Sequence, residues 1–359
     1  MGGGFTTIAG STFNRVAAWL DFQPINLTHL GSFTNVAGYN YAHGINNNTV
    51  VVGESYGFFE GFWNLRAYDW ASPGPLRDRG SLSPGHNSSC AAINASWQIV
   101  GGGEDESGSP RGIRWTQTTG PIALGVINPG GLDSEATALN NDGYIAGVGR
   151  NASVVFRALR WDKNVWSGGS SIPTDLGTLV PGGGATYKSY GYGIHAGNRI
   201  VGKSVFDGTG VFHAFRTKPG DRIDPNVTGN DQNDLGTIGG VTGPSEGLAL
   251  NDRDEVVGAS TNVINNVGVY HAFLKAPNTG NDAGFTDLGV VGQRSVTGAR
   301  SQRCVCHQQR GPGRRLLQEL GHRRQRPGIH PAEGRVFDDQ PEQHHCAGLR
   351  MGTPQRGMD

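Results

Sequence analysis

Six positions carry a side chain able to hold a positive charge at the same point of a recurring phrase: Arg15, Arg66, Arg111, Arg157, His213 and His271. Gathered into a ring they would attract an anionic ligand. Paired singly with backbone or with a carboxylate of a neighbouring unit, they would only join units, and recurrence in every unit makes that the expected use. Trp19, Trp70, Trp115 and Trp161 also share a repeat position. Packing between units is expected there over a sugar platform, because buried aromatics supply much of a core's energy. Acids cluster at Glu104-Asp105-Glu106 and at Asp252 with Asp254, in loops of different units. Nothing in the sequence sets two of them at an acid–base separation. The Asn/Asp loops at 230–234 and 281–282 offer oxygens to calcium, but their order does not follow the helix-loop-helix template, so solvated turns are expected.

Near the C-terminus, Cys304-Val305-Cys306-His307 and His344-His345-Cys346 have the look of soft-metal ligands, yet their spacing matches no common zinc site. Without them Cys90 is the remaining thiol and no disulfide framework exists, which leaves the redox compartment open. No P-loop, dinucleotide fingerprint or serine-nucleophile elbow is expected. The myristoylation-like start Met1-Gly2-Gly3-Gly4-Phe5-Thr6 and sequons such as Asn26-Leu27-Thr28 are read as chance. The sequence thus assigns no catalytic, cofactor-binding or metal-ligating residue and implies no cofactor.

The elements that must position these side chains are a repeat. Asn, or once His, is followed seven residues later by Gly after two small aliphatics: Asn46 to Val51-Val52-Gly53, Asn94 to Ile99-Val100-Gly101, Asn140 to Ile145-Ala146-Gly147, His195 to Ile200-Val201-Gly202, and Asn251 to Val256-Val257-Gly258. A headless copy opens the chain at Ile8-Ala9-Gly10. Each unit continues with Arg or His, a small residue and a bulky one, and closes on a phrase such as Asp175-Leu176-Gly177 or Asp234-Leu235-Gly236. A period of roughly 43–56 residues with four short apolar segments fits a four-stranded propeller blade. Strand one would end at the Asn, strand two at the Val-Val-Gly, strand three at the His/Arg-Ala-Phe and strand four at the Leu-Gly. The Asn and Gly are read as turn residues. Polar loops inserted between strands three and four account for the longer fourth and fifth units.

Composition agrees. With 59 glycines in 359 residues, long helices would be costly at about 1 kcal/mol per interior Gly. No apolar run is long enough for a membrane-spanning helix. The expected fold is therefore all-β: a β-propeller of about six four-stranded blades, five complete, over residues 5–298. The first strand of the N-terminal partial blade would come from around Ser295–Ala299, and an intact gene would make seven blades.

The intact triplets His213-Ala214-Phe215 and His271-Ala272-Phe273, with the Asn-to-Val-Val-Gly and Asp-Leu-Gly-Thr phrases, resemble the bacterial extracellular HAF repeat family over roughly residues 5–298. Arg replaces the His in four copies. The resemblance implies a secreted or cell-surface β-repeat protein and no established chemistry, so no catalytic residue is carried over.

Residues 299–359 differ in kind: 11 Arg, no Lys, six acids and one aromatic, Phe337, against 19 Lys/Arg and 24 acids before them. Written with permitted codons and read one nucleotide later, Ser301-Gln302-Arg303, Pro312-Gly313-Arg314-Arg315 and Gly328-Ile329-His330 return repeat phrases in order. The tail is therefore expected to be a frameshifted, poorly packed continuation and not a nucleic-acid-binding arm. The expected function is non-enzymatic: binding of an extracellular glycan or protein ligand, or a structural role, outside the cell or at its surface. The alternatives are a propeller enzyme acting on polysaccharide through channel carboxylates, and an intracellular partner-binding propeller. A missing true start would account for the absent export signal.

Overall fold

The structure is a computed structural model that describes residues 2–289 apart from 9–10, 21–25, 32, 34–38, 128–129, 183–185, 209, 227–232, 241–242, 265–266, 278 and 280–281; of 2–29, 263–264 and 267–268 only the backbone is described. The chain divides into two compact units, 1–312 and 313–359, and every described residue lies in the first. The frameshift reading, the Cys/His clusters of the tail and the strand expected at Ser295–Ala299 all lie outside the described residues.

Five four-stranded antiparallel sheets follow one another along the chain, each with its strands in sequence order. Blade 1 holds β4 (Asn40–Ile45), β5 (Val51–Phe59), β6 (Phe62–Trp70) and β7 (Arg77–Asp78). Blade 2 holds β8 (Ser88–Ile93), β9 (Ile99–Glu104), β10 (Pro110–Trp115) and β11 (Ile122–Ala123). Blade 3 holds β12 (Glu135–Leu139), β13 (Ile145–Arg150), β14 (Phe156–Trp161) and β15 (Thr174–Asp175). Blade 4 holds β16 (Ser189–Ile194), β17 (Ile200–Val205), β18 (Phe212–Arg216) and β19 (Asp234–Gly236). Blade 5 holds β20 (Ser245–Leu250), β21 (Val256–Ile264), β22 (Val267–Lys275) and β23 (Phe285–Asp287). A three-stranded sheet, β1 (Gly2–Ile8), β2 (Ser11–Leu20) and β3 (Asn26–His29), precedes them as the blade without a first strand. The first strands β4, β8, β12, β16 and β20 contact one another in succession, and their C-terminal ends together line one recess. This is the β-propeller expected from the repeat.

The strand boundaries differ from the expected ones. Val51-Val52-Gly53 and its counterparts open the second strand instead of closing it, and the Asn-to-Val stretch is the hairpin turn itself. The repeated Gly is not a turn residue. In every blade the first strand carries a β-bulge, with one extra residue at His43, Ala91, Thr137, Tyr192 and Leu248. The bulge drives a carbonyl against the second strand: a Cβ on Gly53, Gly101, Gly147, Gly202 or Gly258 would overlap the carbonyl oxygen of Tyr41, Ser89, Glu135, Tyr190 or Glu246 respectively. Only Gly fits beside that bulge. The connection between strands three and four is short in blades 1 and 2 and long in blades 3 and 4. In blade 3 it carries a short 3-10 helix, Lys163–Ser167, so its insertion adds to the two that the loop sequences mark.

The core lies between blades, not within them. Val52 and Ala67 of blade 1 pack with Cys90, Ile99 and Trp115 of blade 2; Leu176 and Ala158 of blade 3 pack with Ile200 and Phe215 of blade 4. A buried serine at the head of the first strand fastens three of the seams, and Ser134, just before β12, accepts from Gly112 N–H at a fourth. Ser189 Oγ accepts from Ala158 N–H at 2.9 Å and donates to Gly177 O at 2.6 Å. Ser88 makes the same pair with Ala67 and Gly80, and Ser245 with Ala214 and Gly236. Blades 2, 4 and 5 thus bury an alanine amide and a glycine carbonyl of their predecessors with the partners supplied, as buried backbone groups require.

Candidate functional site

The repeated polar residues are engaged in the scaffold. His213 Nδ1 lies 3.0 Å from Asp234 and His271 Nδ1 2.8 Å from Asp287, each pairing strand three with strand four of its own blade. Arg157 does the same through Nε to Asp175 at 3.0 Å and reaches on to Tyr187 O at 2.9 Å. Arg66 meets Glu60 at 3.1 Å, and Arg111 meets Asp105 and the Leu132 carbonyl, both at 2.9 Å. These carboxylates belong to the same blade, not to a neighbour as expected; the contacts that reach the link to the next blade are those of Arg66 with Ser81 Oγ, Arg111 with Leu132 O and Arg157 with Tyr187 O. Burial tends to raise the Asp287 carboxyl, but the Gly289 amide and His271 hold it below its usual range. Arg15 and Trp19 have no described side chain. Of the other tryptophans, Trp115 donates to Arg79 O at 2.9 Å and Trp161 to Gly125 O at 3.3 Å, each across a blade seam. In blade 5 the fully buried Lys275 takes over this reach, donating to Leu235 O at 3.2 Å. Burial lowers its ammonium to about 8.

The recurring asparagines form a second belt. Asn46 Nδ2 donates to Asn94 O at 2.9 Å, Asn94 Nδ2 to Asn140 O at 3.0 Å, and Asn140 Nδ2 to His195 O at 2.9 Å. His195 continues it through Nε2 to Asp254 of blade 5. The side-chain oxygens close their own hairpins, as where Asn94 Oδ1 accepts from the amides of Ser96 and Gln98. Positive φ falls three residues later, at Thr49, Trp97, Gly143, Asn198 and Asp254. This belt rims the recess, which the aliphatic ends of the first strands line.

Glu104, Asp105, Asp254, Asp234 and Asp282 are occupied as well. Glu104 accepts from Asn87, Asp105 closes a turn with Ser107 and Ser109, and Asp254 also meets Arg199 at 3.1 Å. Of the two Asn/Asp loops, Asp234 is paired as above and Asp282 accepts from Thr237 N–H at 2.8 Å. No group of three potential metal ligands occurs among the described residues. Two strings nevertheless carry motif spellings. Gly197-Asn198-Arg199-Ile200-Val201-Gly202-Lys203-Ser204 spells a P-loop, and Gly53-Glu54-Ser55-Tyr56-Gly57 a nucleophile elbow. Neither has the strand-to-helix context that gives these motifs their chemistry. The first is a hairpin turn entering β17, with Ser204 buried; the second is the middle of β5, with Ser55 buried.

What the scaffold leaves over sits on the inner seams, beside the bulges. At three seams the residue after the repeated Gly on strand two meets the residue after the seam serine position of the next blade. These places hold Glu54 against Ser89, Gly102 against Glu135, and Lys203 against Glu246. They do not repeat. Glu54 lies 3.6 Å from His43, the bulged residue of its own blade. Burial alone would raise the Glu54 carboxyl, but His43 and Ser89 outweigh it and hold it below the usual range. Glu135, its side chain laid over Gly102, has no such support: burial first, then the charges of Glu54 and Asp133, push it up to about 8. Lys203 meets Glu246 at 3.2 Å and lies over the rings of Tyr190 and Tyr192 at 5.4 and 5.9 Å. Burial raises the Tyr190 phenol to about 12. The group thus combines an ionised carboxylate, a protonated carboxyl, an ammonium and phenols at adjoining seams, the mixture expected of a ligand site. The signal in the sequence was the variation itself, at fixed offsets inside a constant phrase.

No known protein family matches the sequence, and no curated protein does. Among solved structures, one similar chain is a triple arginine-to-alanine mutant of AofleA from Arthrobotrys oligospora, 10% identical over 77% of this chain and 79% of that one, with a TM-score of 0.35. No helix among the described residues is long and apolar enough to cross a membrane.

Proposed function

We propose that this propeller is a non-enzymatic binding protein, secreted or held at the cell surface, whose ligand contacts the inner seams at His43, Glu54, Ser89, Glu135, Lys203 and Glu246. One observation carries this: the polar side chains that repeat are engaged in joining strands and blades, while the ionisable side chains that do not repeat gather at the inner seams. A scaffold needs the first set, and a ligand accounts for the second. The extracellular setting rests on the likeness of the His-Ala-Phe phrases to the HAF repeats.

A second reading has its own support. Adjoining carboxyls with pKa values pushed apart, Glu54 down and Glu135 up to about 8, are the usual provision for acid–base chemistry. In that reading Glu135 would protonate a glycosidic oxygen and Glu54 would act as base or nucleophile. Thermal-shift screening against saccharides, peptides, polyamines and nucleotides tests the site. A stabilising compound should lose its effect on Glu135→Gln and Lys203→Met; equal stabilisation of wild type and both variants by every active compound defeats the proposal. Release of reducing ends from a bound polysaccharide, abolished in Glu135→Gln, would replace binding with hydrolysis.

A further inference from the structure

The hairpin of β5 and β6 in blade 1 is longer than its counterparts in blades 2, 3 and 4, and its extension is rich in aromatic residues. Tyr39, Tyr41, Phe58 and Trp63 keep 45, 44, 50 and 50% of their surface exposed. The rings order one another. Tyr39 and Tyr56 stack at 5.0 Å with planes 8° apart, Tyr56 and Trp63 at 5.7 Å and 25°, and Phe58 meets Trp63 edge-on at 5.7 Å. Tyr39 also meets Tyr41, which pairs across the sheet with Glu54 and stacks loosely on His43. The row therefore runs from solvent to the inner seam without a break. The repeat does not require it, and exposed aromatic rows of this kind mark interaction surfaces.

We propose that this row is a carbohydrate-binding ledge, which takes the apolar ring faces of a neutral polysaccharide and leads the chain to His43 and Glu54. The inference rests on the inner-seam reading and names its ligand class. Flat apolar rings beside phenol hydroxyls and a carboxylate match a ligand whose own rings are apolar on their faces and hydroxylated at their edges. The ionised Glu54 would repel an anionic chain. Rings already fixed by mutual stacking lose little freedom on binding, so the contact area translates into affinity.

Affinity electrophoresis tests this on the full chain, with gels containing β-1,3-glucan, β-1,4-glucan, α-1,4-glucan, mannan or galactan. At least one should retard the wild type, and Trp63→Ala and Tyr39→Ala should each weaken retention about tenfold with the thermal midpoint unchanged. Loss in these variants with retention in Glu135→Gln and Lys203→Met would uphold the ledge with His43 and Glu54 and remove Glu135 and Lys203 from the ligand site. Retardation by none of the gels, or equal retardation of Trp63→Ala and wild type, overturns the ledge and leaves the inner seams to the thermal-shift screen. Quenching of tryptophan fluorescence by tetramethylammonium in a protein that no polysaccharide retards would also overturn it, making the row a cation site.

Discussion

A hydroxyl is the smallest group that can join two blades, and Ser189 uses both of its hydrogen-bonding capacities to do so. Replacing it with Ala would leave the Ala158 amide and the Gly177 carbonyl without that partner at a buried seam. Ser189→Ala should lower stability by about 1–3 kcal/mol, read from urea unfolding. Glu135 makes the opposite case, a polar side chain that the fold tolerates at a cost. Its carboxyl titrates near 8 in the native state against an ordinary value of 4.5, so between those pH values the native state holds more protons than the unfolded one. Stability should therefore fall as pH rises from about 4.5 to 8. In Glu135→Gln that contribution to the slope should vanish, with the variant gaining on wild type at pH 9. Ser134, the counterpart of Ser189 in blade 3, stands next to Glu135, yet sequence alone does not separate their roles. The Ser134 hydroxyl accepts from Gly112 N–H of another blade at 3.1 Å, and the carboxyl's environment is set by a glycine and an acid on other strands.

At the level of the strand, the repeated Gly carries the clearest lesson. The constant spacing from Asn to Gly is plain in the sequence and locates all five hairpins, but it reads equally as a turn at either end. The β-bulge decides the matter, because it comes from the pairing of two strands and leaves no mark in the order of residues. Gly202→Ala would drive a methyl group into the Tyr190 carbonyl and should cost about 1–3 kcal/mol or more. Gly120→Ala, where a Cβ meets nothing and φ is not in the left-handed region, should stay within roughly 0.5 kcal/mol. Comparing the two thermal midpoints separates a steric need from a general intolerance of side chains. The bulge also explains why the inner-seam residues were missed. It re-aims one residue per blade, so a simple alternation of inward and outward positions fails at His43, Ala91, Thr137, Tyr192 and Leu248.

For the whole molecule, the seams are the unit of stability, as in other repeat architectures. Where the closing phrase holds a leucine, it measures the seam: Leu30, Leu124, Leu176 and Leu235 are almost fully buried, whereas Leu288 of blade 5 is 55% exposed. Leu235→Ala should cost about 2–5 kcal/mol, while Leu288→Ala should change stability by less than roughly 0.5 kcal/mol, both measured by chemical denaturation. Blade number and order were legible because a seam must recur with its blade. The ledge and the inner seams were not, because each depends on residues that occur once and meet only when the blades are side by side.

Amide hydrogen exchange, with and without whichever polysaccharide retards the protein, tests most directly where a ligand sits. Added protection should fall on the backbone around Tyr39–His43, Glu54–Trp63 and Ser89–Ala91. Protection confined to the asparagine belt at Asn46–Thr49, Asn94–Trp97 and Asn140–Gly143 would place the ligand in the recess and contradict the inner-seam site.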